Sequence, residues 1–215
     1  MAGSGTGGGA RGRPPRSTGE RLVVQARIIA TAARLFQVEG YRAVSMRRLA
    51  AEAGCTTKTL YAYFRTKADI LRDIWIDLLE ALFADLAVLA EGTPEPRARL
   101  EAIAQGYVGY WLANPEHYRV VFMTEGVSQG DVGVFITGPR TAAWFALFSD
   151  ALRAGLERPS EDEVRLKTDA LVCAMHGVAH NLVTISAYPW SAPDRLVALA
   201  VESLFVASAA PAARP

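Results

Sequence analysis

The 215-residue chain is poor in several features that mark protein classes. It has two cysteines, Cys55 and Cys173, far apart and not in a metal-spaced pair. That excludes a disulfide-built scaffold and fits a reducing, cytoplasmic setting. No apolar run reaches the roughly 18–20 residues of a membrane-spanning helix. No apolar stretch precedes Leu22, so no signal peptide is expected. There is no internal repeat and little strand signal. A nucleophile motif, a Gly-rich phosphate loop and paired carboxylates in a recognisable setting are all missing, which leaves little for an enzyme and no cofactor to expect. Disorder throughout is excluded by a hydrophobic content of 51%. A chain of this length buries roughly 70% of its unfolded surface and so carries a real core.

Net charge is also scarce, at +1, but the total conceals a split. Through Lys67 there are 12 Lys/Arg against Glu20, Glu39 and Glu52, an excess of nine positive charges. From Ala68 onward 11 Lys/Arg face 19 Asp/Glu, an excess of eight negative. Such asymmetry points to a basic part that meets a polyanion.

Residues 1–19 are mostly Gly, Ser, Pro and Arg and read as a flexible basic arm. Within it, Arg11-Gly12-Arg13-Pro14 has the form of an AT-hook core, which follows a narrow A·T minor groove. The plain alternative is a tail that adds nonspecific attraction to phosphate. Beyond the arm, apolar residues recur three and four apart, and the chain reads as about nine helices. They cover about 20–39, 46–53, 57–63, 67–90, 94–113, 115–125, 139–155, 161–187 and 193–208. Three capping-box patterns open helices: Thr66 with Asp69, Ser160 with Glu163, and Ser191 with Asp194. Thr93-Pro94 and Asn114-Pro115 place a capping side chain before a proline suited to a first helical position. The Gly-rich stretch 126–138 reads as the one long connection.

The two short helices at 46–53 and 57–63, joined by Gly54-Cys55-Thr56, have the form of a helix-turn-helix. In that motif the second helix enters the major groove and the first crosses the phosphate backbone. Thr56, Thr57, Lys58 and Thr59 crowd the start of the second helix, where short hydroxyls and one long cation reach phosphates or base edges. Tyr61 and Tyr63 offer phenolic hydroxyls to the backbone. Leu60 and Phe64, four apart, face inward onto Leu35, Phe36 and Leu49. Arg47 sits in the first turn of the preceding helix, where free N–H groups already favour an anion. Ser45 reads as a cap as much as a contact. A lysine at position 67, a helix start, is unfavourable for the helix dipole and makes more sense with a phosphate partner.

The run Ile28-Ile29, Ala32, Leu35-Phe36, Gly40-Tyr41, Leu49-Ala50, Ala53-Gly54, Thr59-Leu60-Tyr61, Tyr63-Phe64 and Lys67 resembles the DNA-binding domain of TetR-family transcriptional regulators. The resemblance covers about residues 21–70 without a gap. It implies an all-α protein, a three-helix DNA-binding domain at 20–67 and a helical-bundle ligand and dimerisation domain at 68–215. By position it makes Arg47, Thr57, Lys58, Thr59, Tyr61, Tyr63 and Lys67 the DNA contacts, with Ser45 and Thr56 as weaker members. The segment Cys173–Leu182 is similar to the His-Gly region of one subset of these C-terminal domains, with Met175 where that subset has Trp.

The acidic body is rich in aromatic residues. Tyr107, Trp111, Tyr118, Phe122, Trp144 and Phe148, with His176 and His180, form an expected pocket for a small, largely apolar or aromatic effector; the same residues equally describe a helical core. The long apolar helices 161–187 and 193–208, with small residues such as Ala170, Ala174 and Gly177, suit a homodimer interface. The expected function is a ligand-responsive regulator, a repressor that binds a palindromic double-stranded DNA operator as a dimer, with no membrane partner. Two other readings stay open: a metal- or thiol-dependent helical enzyme using Cys173, His176 and His180, and an interaction module without DNA binding. Helix 67–90 links both parts and is the expected lever between them.

Overall fold

The computed structural model describes residues 18–128, 130, 133, 135 and 137–206. The expected Arg11–Pro14 arm lies outside them. Among the described residues the chain is all-helical, with no strand. Nine helices follow one another: α1 Thr18–Glu39, α2 Met46–Glu52, α3 Thr57–Tyr63, α4 Lys67–Gly92, α5 Pro96–Ala113, α6 Pro115–Phe122, α7 Pro139–Gly155, α8 Glu161–Thr184 and α9 Pro193–Leu204. No helix is long and apolar enough to cross a membrane among these residues.

Helix starts show which local signals operate. At α4 both halves of the capping box form: Thr66 Oγ1 accepts from Asp69 N at 3.1 Å, and Asp69 Oδ2 accepts from Thr66 N at 2.8 Å. Ser160 caps α8 by accepting from Glu163 N at 3.2 Å. Three expected caps are corrected. Helix α5 begins two residues later than Thr93-Pro94 implies, with Pro96 in its first turn, and its cap is Glu95, whose carboxylate accepts from Arg97 N and Ala98 N. A carboxylate at a helix start also meets the positive end of the helix dipole. Asn114 turns its amide back to Tyr110 O at 2.8 Å and caps nothing at α6. At α9 the cap position is Ala192, so the Ser191–Asp194 box does not form.

The stretch 126–138 is also corrected: Gly130, Gly133 and Phe135 are helical, and Thr137 N donates to Gly133 O at 3.0 Å. Four glycines in this stretch hide a short helical turn from propensity. Phe135 supplies the reason for it, packing its ring 5.4 Å from Trp75.

Two cores share one helix. The first gathers Val24, Ile28, Leu35 and Phe36 of α1, Leu49, Leu60 and Phe64, and the start of α4 at Ile70, Leu71, Ile74 and Trp75. Leu60 and Phe64 do face Leu35, Phe36 and Leu49, as their spacing predicts. The second begins at Leu79 on α4 and is organised around α5, whose Leu100, Ile103, Ala104 and Trp111 are fully buried. Helices α4, α7, α8 and α9 all pack on α5. Gly106 marks how tightly: a Cβ there would lie 2.7 Å from Leu89 Cδ1 of α4. Helix α6 joins both cores, with Tyr118 in the second and Val120 in the first.

Candidate nucleic-acid interface and aromatic cluster

Helices α2 and α3 pack together through the Gly54–Thr56 turn. Gly54 has φ +61° with open space around it, so the turn needs the left-handed conformation that glycine adopts without strain. Thr56 Oγ1 accepts from Thr59 N at 3.1 Å and lies 3.0 Å from Thr59 Oγ1, which fixes the first turn of α3. Burying Leu60 fixes the helix rotation and leaves Thr57, Lys58 and Tyr61 on the outside, Tyr61 with 52% of its surface exposed. Arg47 stands exposed in the first turn of α2.

Ion pairing separates the arginines of this domain by task. Arg48 bridges Glu39 at 3.2 Å and Glu52 at 2.5 Å, and Arg34 bonds Glu52 at 3.0 Å. These pairs tie α1 to α2. Among the described residues Arg47 and Lys58 have no carboxylate partner, so their charges remain for an anion.

Four expected contacts have a visible internal role. Ser45 Oγ accepts from Arg48 N at 3.1 Å and caps α2. Thr56 caps α3, and the half-buried Tyr63 lies under Arg21, whose guanidinium carbon is 5.8 Å from the ring centre. Lys67 is the largest departure. Its Nζ donates to Tyr41 O and, at 2.8 Å, to Val44 O, and sits 4.2 Å from the Tyr41 ring centre. Partial burial lowers its pKa from the ordinary lysine value. These carbonyls, with the tyrosine face, offset the unfavourable helix-start dipole from inside the protein.

The eight expected pocket residues fall into two groups joined by Tyr107. On one side Trp144 stacks on Phe83 at 5.4 Å and 6°, and Phe148 meets Phe83 and Tyr107 edge-on. On the other side Trp111, Tyr118, Phe122, His176 and His180 of α5, α6 and α8 form a continuous ring contact. Each of the chain's three histidines pairs with a tyrosine hydroxyl: Tyr107 with His176 at 2.8 Å, Tyr118 with His180 at 3.3 Å, Tyr110 with His117 at 3.1 Å. Burial, with a smaller effect of His180, holds His176 below the ordinary imidazole value. Burial also raises Tyr107 well above the ordinary phenol value. Cys173 is exposed, and no group of three or more His, Cys, Asp or Glu able to hold a metal exists among the described residues. The alternative of a Cys173–His176–His180 centre has no such grouping behind it.

Two open clefts lie along the seam between the cores. One of about 330 Å³ separates the Phe36–Ala43 corner from the end of α6. The other, about 480 Å³, lies among α1, the α3–α4 corner and the start of α7. At the wall of the first cleft, Trp75 Nε1 donates to Val120 O at 3.0 Å, and Val120 is 6% exposed within the first core. This α4–α6 link was not anticipated from sequence. Its one signal is the unbroken apolar run Val120-Val121-Phe122, too apolar for a helix with a single covered face.

Comparison with known proteins places these elements together. The model described as "Bacterial regulatory proteins, tetR family" matches residues 28–74, and that described as "Tetracyclin repressor-like, C-terminal domain" matches residues 100–204. The chain is 33% identical over 103 residues to the HTH-type transcriptional repressor DrrR1 of Streptomyces coeruleorubidus, a match covering 48% of this chain and 37% of that protein. It is 26% identical over 153 residues to the HTH-type transcriptional activator FasR of Mycolicibacterium smegmatis, covering 70% and 68%. Among solved structures, the regulatory protein SCO4313 superposes with a TM-score of 0.69 at 19% identity, covering 88% of this chain and 98% of that one. The fatty acid degradation regulator FadR from Bacillus halodurans gives 0.68 at 16%, covering 86% and 96%. With a helix-turn-helix model and a C-terminal model matched in succession on one all-helical chain, the protein belongs to the TetR family of bacterial transcriptional regulators.

Proposed function

We propose that the protein is a cytoplasmic, ligand-responsive repressor that binds a palindromic operator as a homodimer. The observation that carries the DNA-binding part is the outer face of α3. Burial of Leu60 leaves Thr57, Lys58 and Tyr61 facing outward beside Arg47, and both cations lack carboxylate partners among the described residues. Arg47, Thr57, Lys58 and Tyr61 are the contacts of first rank. Thr59, Tyr63, Ser45 and Thr56 contribute hydroxyls from positions that also serve the fold. Lys67 acts as a positioning residue that holds the Tyr41–Val44 corner, with any phosphate contact secondary. Of the two relatives, one is named a repressor and one an activator. Repression is favoured because a helix-turn-helix dimer seated on an operator excludes other proteins from that DNA without further machinery.

The dimer interface is assigned to α8 and α9. Leu166 is 70% exposed on α8 and Leu199 65% exposed on α9. Following Leu166 at spacings of four, three and four on α8 are the exposed Ala170 and Cys173, and Gly177, where a Cβ would meet nothing within 4 Å. A second copy covers this apolar face and sets two recognition helices about one duplex turn apart, roughly 34–36 Å. The aromatic cluster of α5, α6 and α8 receives the effector. Its occupation is transmitted along α6 through Val120 to Trp75, and so to the shared helix α4.

The test is a fluorescence-anisotropy titration on the intergenic DNA upstream of the protein's own gene. Lys58→Ala with Tyr61→Phe is expected to weaken binding at least about tenfold and to reduce the salt slope by about one per protomer, without lowering the melting temperature. Unchanged affinity in this variant removes α3 as the reading helix.

A further inference from the structure

Among the fully buried side-chain polar atoms of the described residues, one is left without a partner. Trp111 is completely buried, and its indole N–H meets no acceptor in hydrogen-bonding geometry. It lies near enough to the Tyr107 oxygen to favour that group's anionic form slightly, but not in the geometry of a hydrogen bond. A buried donor left without an acceptor is costly and therefore rare in folded proteins. It is an unspent contact, and it faces uncharged surroundings: the neighbouring rings are those of Tyr107, Tyr110, Tyr118 and Phe122.

Phe122 is what closes the cluster. It is the last residue of α6, and 41% of its surface is exposed although its ring lies 5.1 Å from Trp111, 4.9 Å from Tyr118 and 4.6 Å from His176. An aromatic ring half in solvent, at a helix end where the last turn frays, is the part of this cluster easiest to displace.

We propose that the cluster is a closed site for an uncharged aryl compound bearing a carbonyl or similar acceptor: its ring takes the place of the Phe122 ring, and its acceptor receives the Trp111 indole N–H. The reading of the protein as an effector-controlled regulator supplies the consequence for DNA, because Val120, two residues before Phe122, lies in the DNA-binding core. Binding itself does not depend on that reading. The polar edge of the site, formed by Tyr107, His176, Tyr118 and His180, contains no lysine or arginine to hold a carboxylate, and burial disfavours the charged form of His176.

The experiment compares three nearly isosteric probes on the full chain: 2-acetylnaphthalene, 2-ethylnaphthalene and 2-naphthoate. The readout is the ¹H–¹⁵N spectrum of the four tryptophan indoles, with the Trp111 signal identified by its loss in Trp111→Phe. The ketone is expected to move the Trp111 N–H signal downfield and to bind roughly 3- to 10-fold more tightly than the ethyl compound. Trp111→Phe is expected to abolish that preference, and Phe122→Ala to tighten binding of both neutral probes. Because Phe122 is partly exposed, this second variant folds even if Trp111→Phe does not. Equal affinity for ketone and ethyl probes overturns the acceptor assignment, stronger binding of naphthoate overturns the uncharged class, and absence of binding in both wild type and Phe122→Ala overturns the site. An operator titration run in parallel separates the two readings: DNA binding with no probe binding sinks the site alone, and probe binding with no DNA binding sinks the regulator reading alone.

Discussion

At the residue scale, the same side-chain type serves different ends according to its partners. Lys58 and Lys67 were equivalent in the sequence, both near helix starts in a basic segment. The structure separates them: Lys58 is exposed and unpaired among the described residues, and Lys67 is bonded to Tyr41 O and Val44 O. Nothing local distinguishes them, because the two carbonyls that hold Lys67 lie 23 and 26 residues earlier in the chain. The histidines follow a similar logic. Their four-residue spacing in α8 suited a metal, and each is instead taken by a tyrosine from another helix. His176 also makes a pH prediction. Its pKa in the folded protein lies below the reference value of 6.5, so the unfolded chain takes up a proton first as pH falls. Its contribution is fully present above about pH 6.5 and declines below it. Urea midpoints measured from pH 7.5 to 5 are expected to fall more steeply for the wild type than for His176→Gln, and parallel curves would show that another group sets the slope.

At the element scale, most of the architecture was legible. The apolar spacing of Ile28, Ala32, Leu35 and Phe36, the capping box at Thr66 and the glycine turn at Gly54 each act locally, and the expected helices match the observed ones to within four residues. What was not legible depends on packing between elements. The helical turn around Gly133 is held by Phe135 on Trp75, and the choice of Glu95 over Thr93 as a cap depends on where α5 can start against α4. The expected lever was α4 alone; we propose that α6 acts with it. Trp75 links the two helices, bonding Val120 O at 3.0 Å, a carbonyl that also accepts from Thr124 Oγ1 at 2.7 Å. Trp75→Phe keeps an aromatic ring against Phe135 and removes the bond together with part of the buried ring volume. Val120 O retains its other partner, so most of the expected loss of stability, about 1–3 kcal/mol, comes from the cavity. The effect on coupling is expected to be larger: addition of 2-acetylnaphthalene should change operator affinity in the wild type and change it several-fold less in Trp75→Phe. An equal response in both places the transmission elsewhere on α4.

At the scale of the whole molecule, the near-zero charge is two opposed surfaces. The part through Lys67 carries nine excess positive charges and the remainder eight excess negative ones. One copy presents a single short recognition helix, of seven residues, with one unpaired lysine. In the proposed dimer, two copies joined through α8 and α9 double the basic surface and keep the acidic bodies on the far side. Each recognition helix then gains from the other, because once one is seated the second meets its half-site at high effective concentration. Affinity should therefore depend on the apolar face as strongly as on α3 itself. Leu199→Glu and Leu166→Glu test this at positions that bury little within the single chain, since both side chains are at least 65% exposed. Each should leave thermal stability of the chain nearly unchanged and convert the sedimenting species to one chain's mass, because a carboxylate placed in an apolar interface loses its hydration without a partner. Operator affinity should fall by a factor of 100 or more, on the order of what linked binding contributes. A dimer that persists in both variants would place the interface on another face of the bundle, and the half-site spacing would then have to be sought from that geometry.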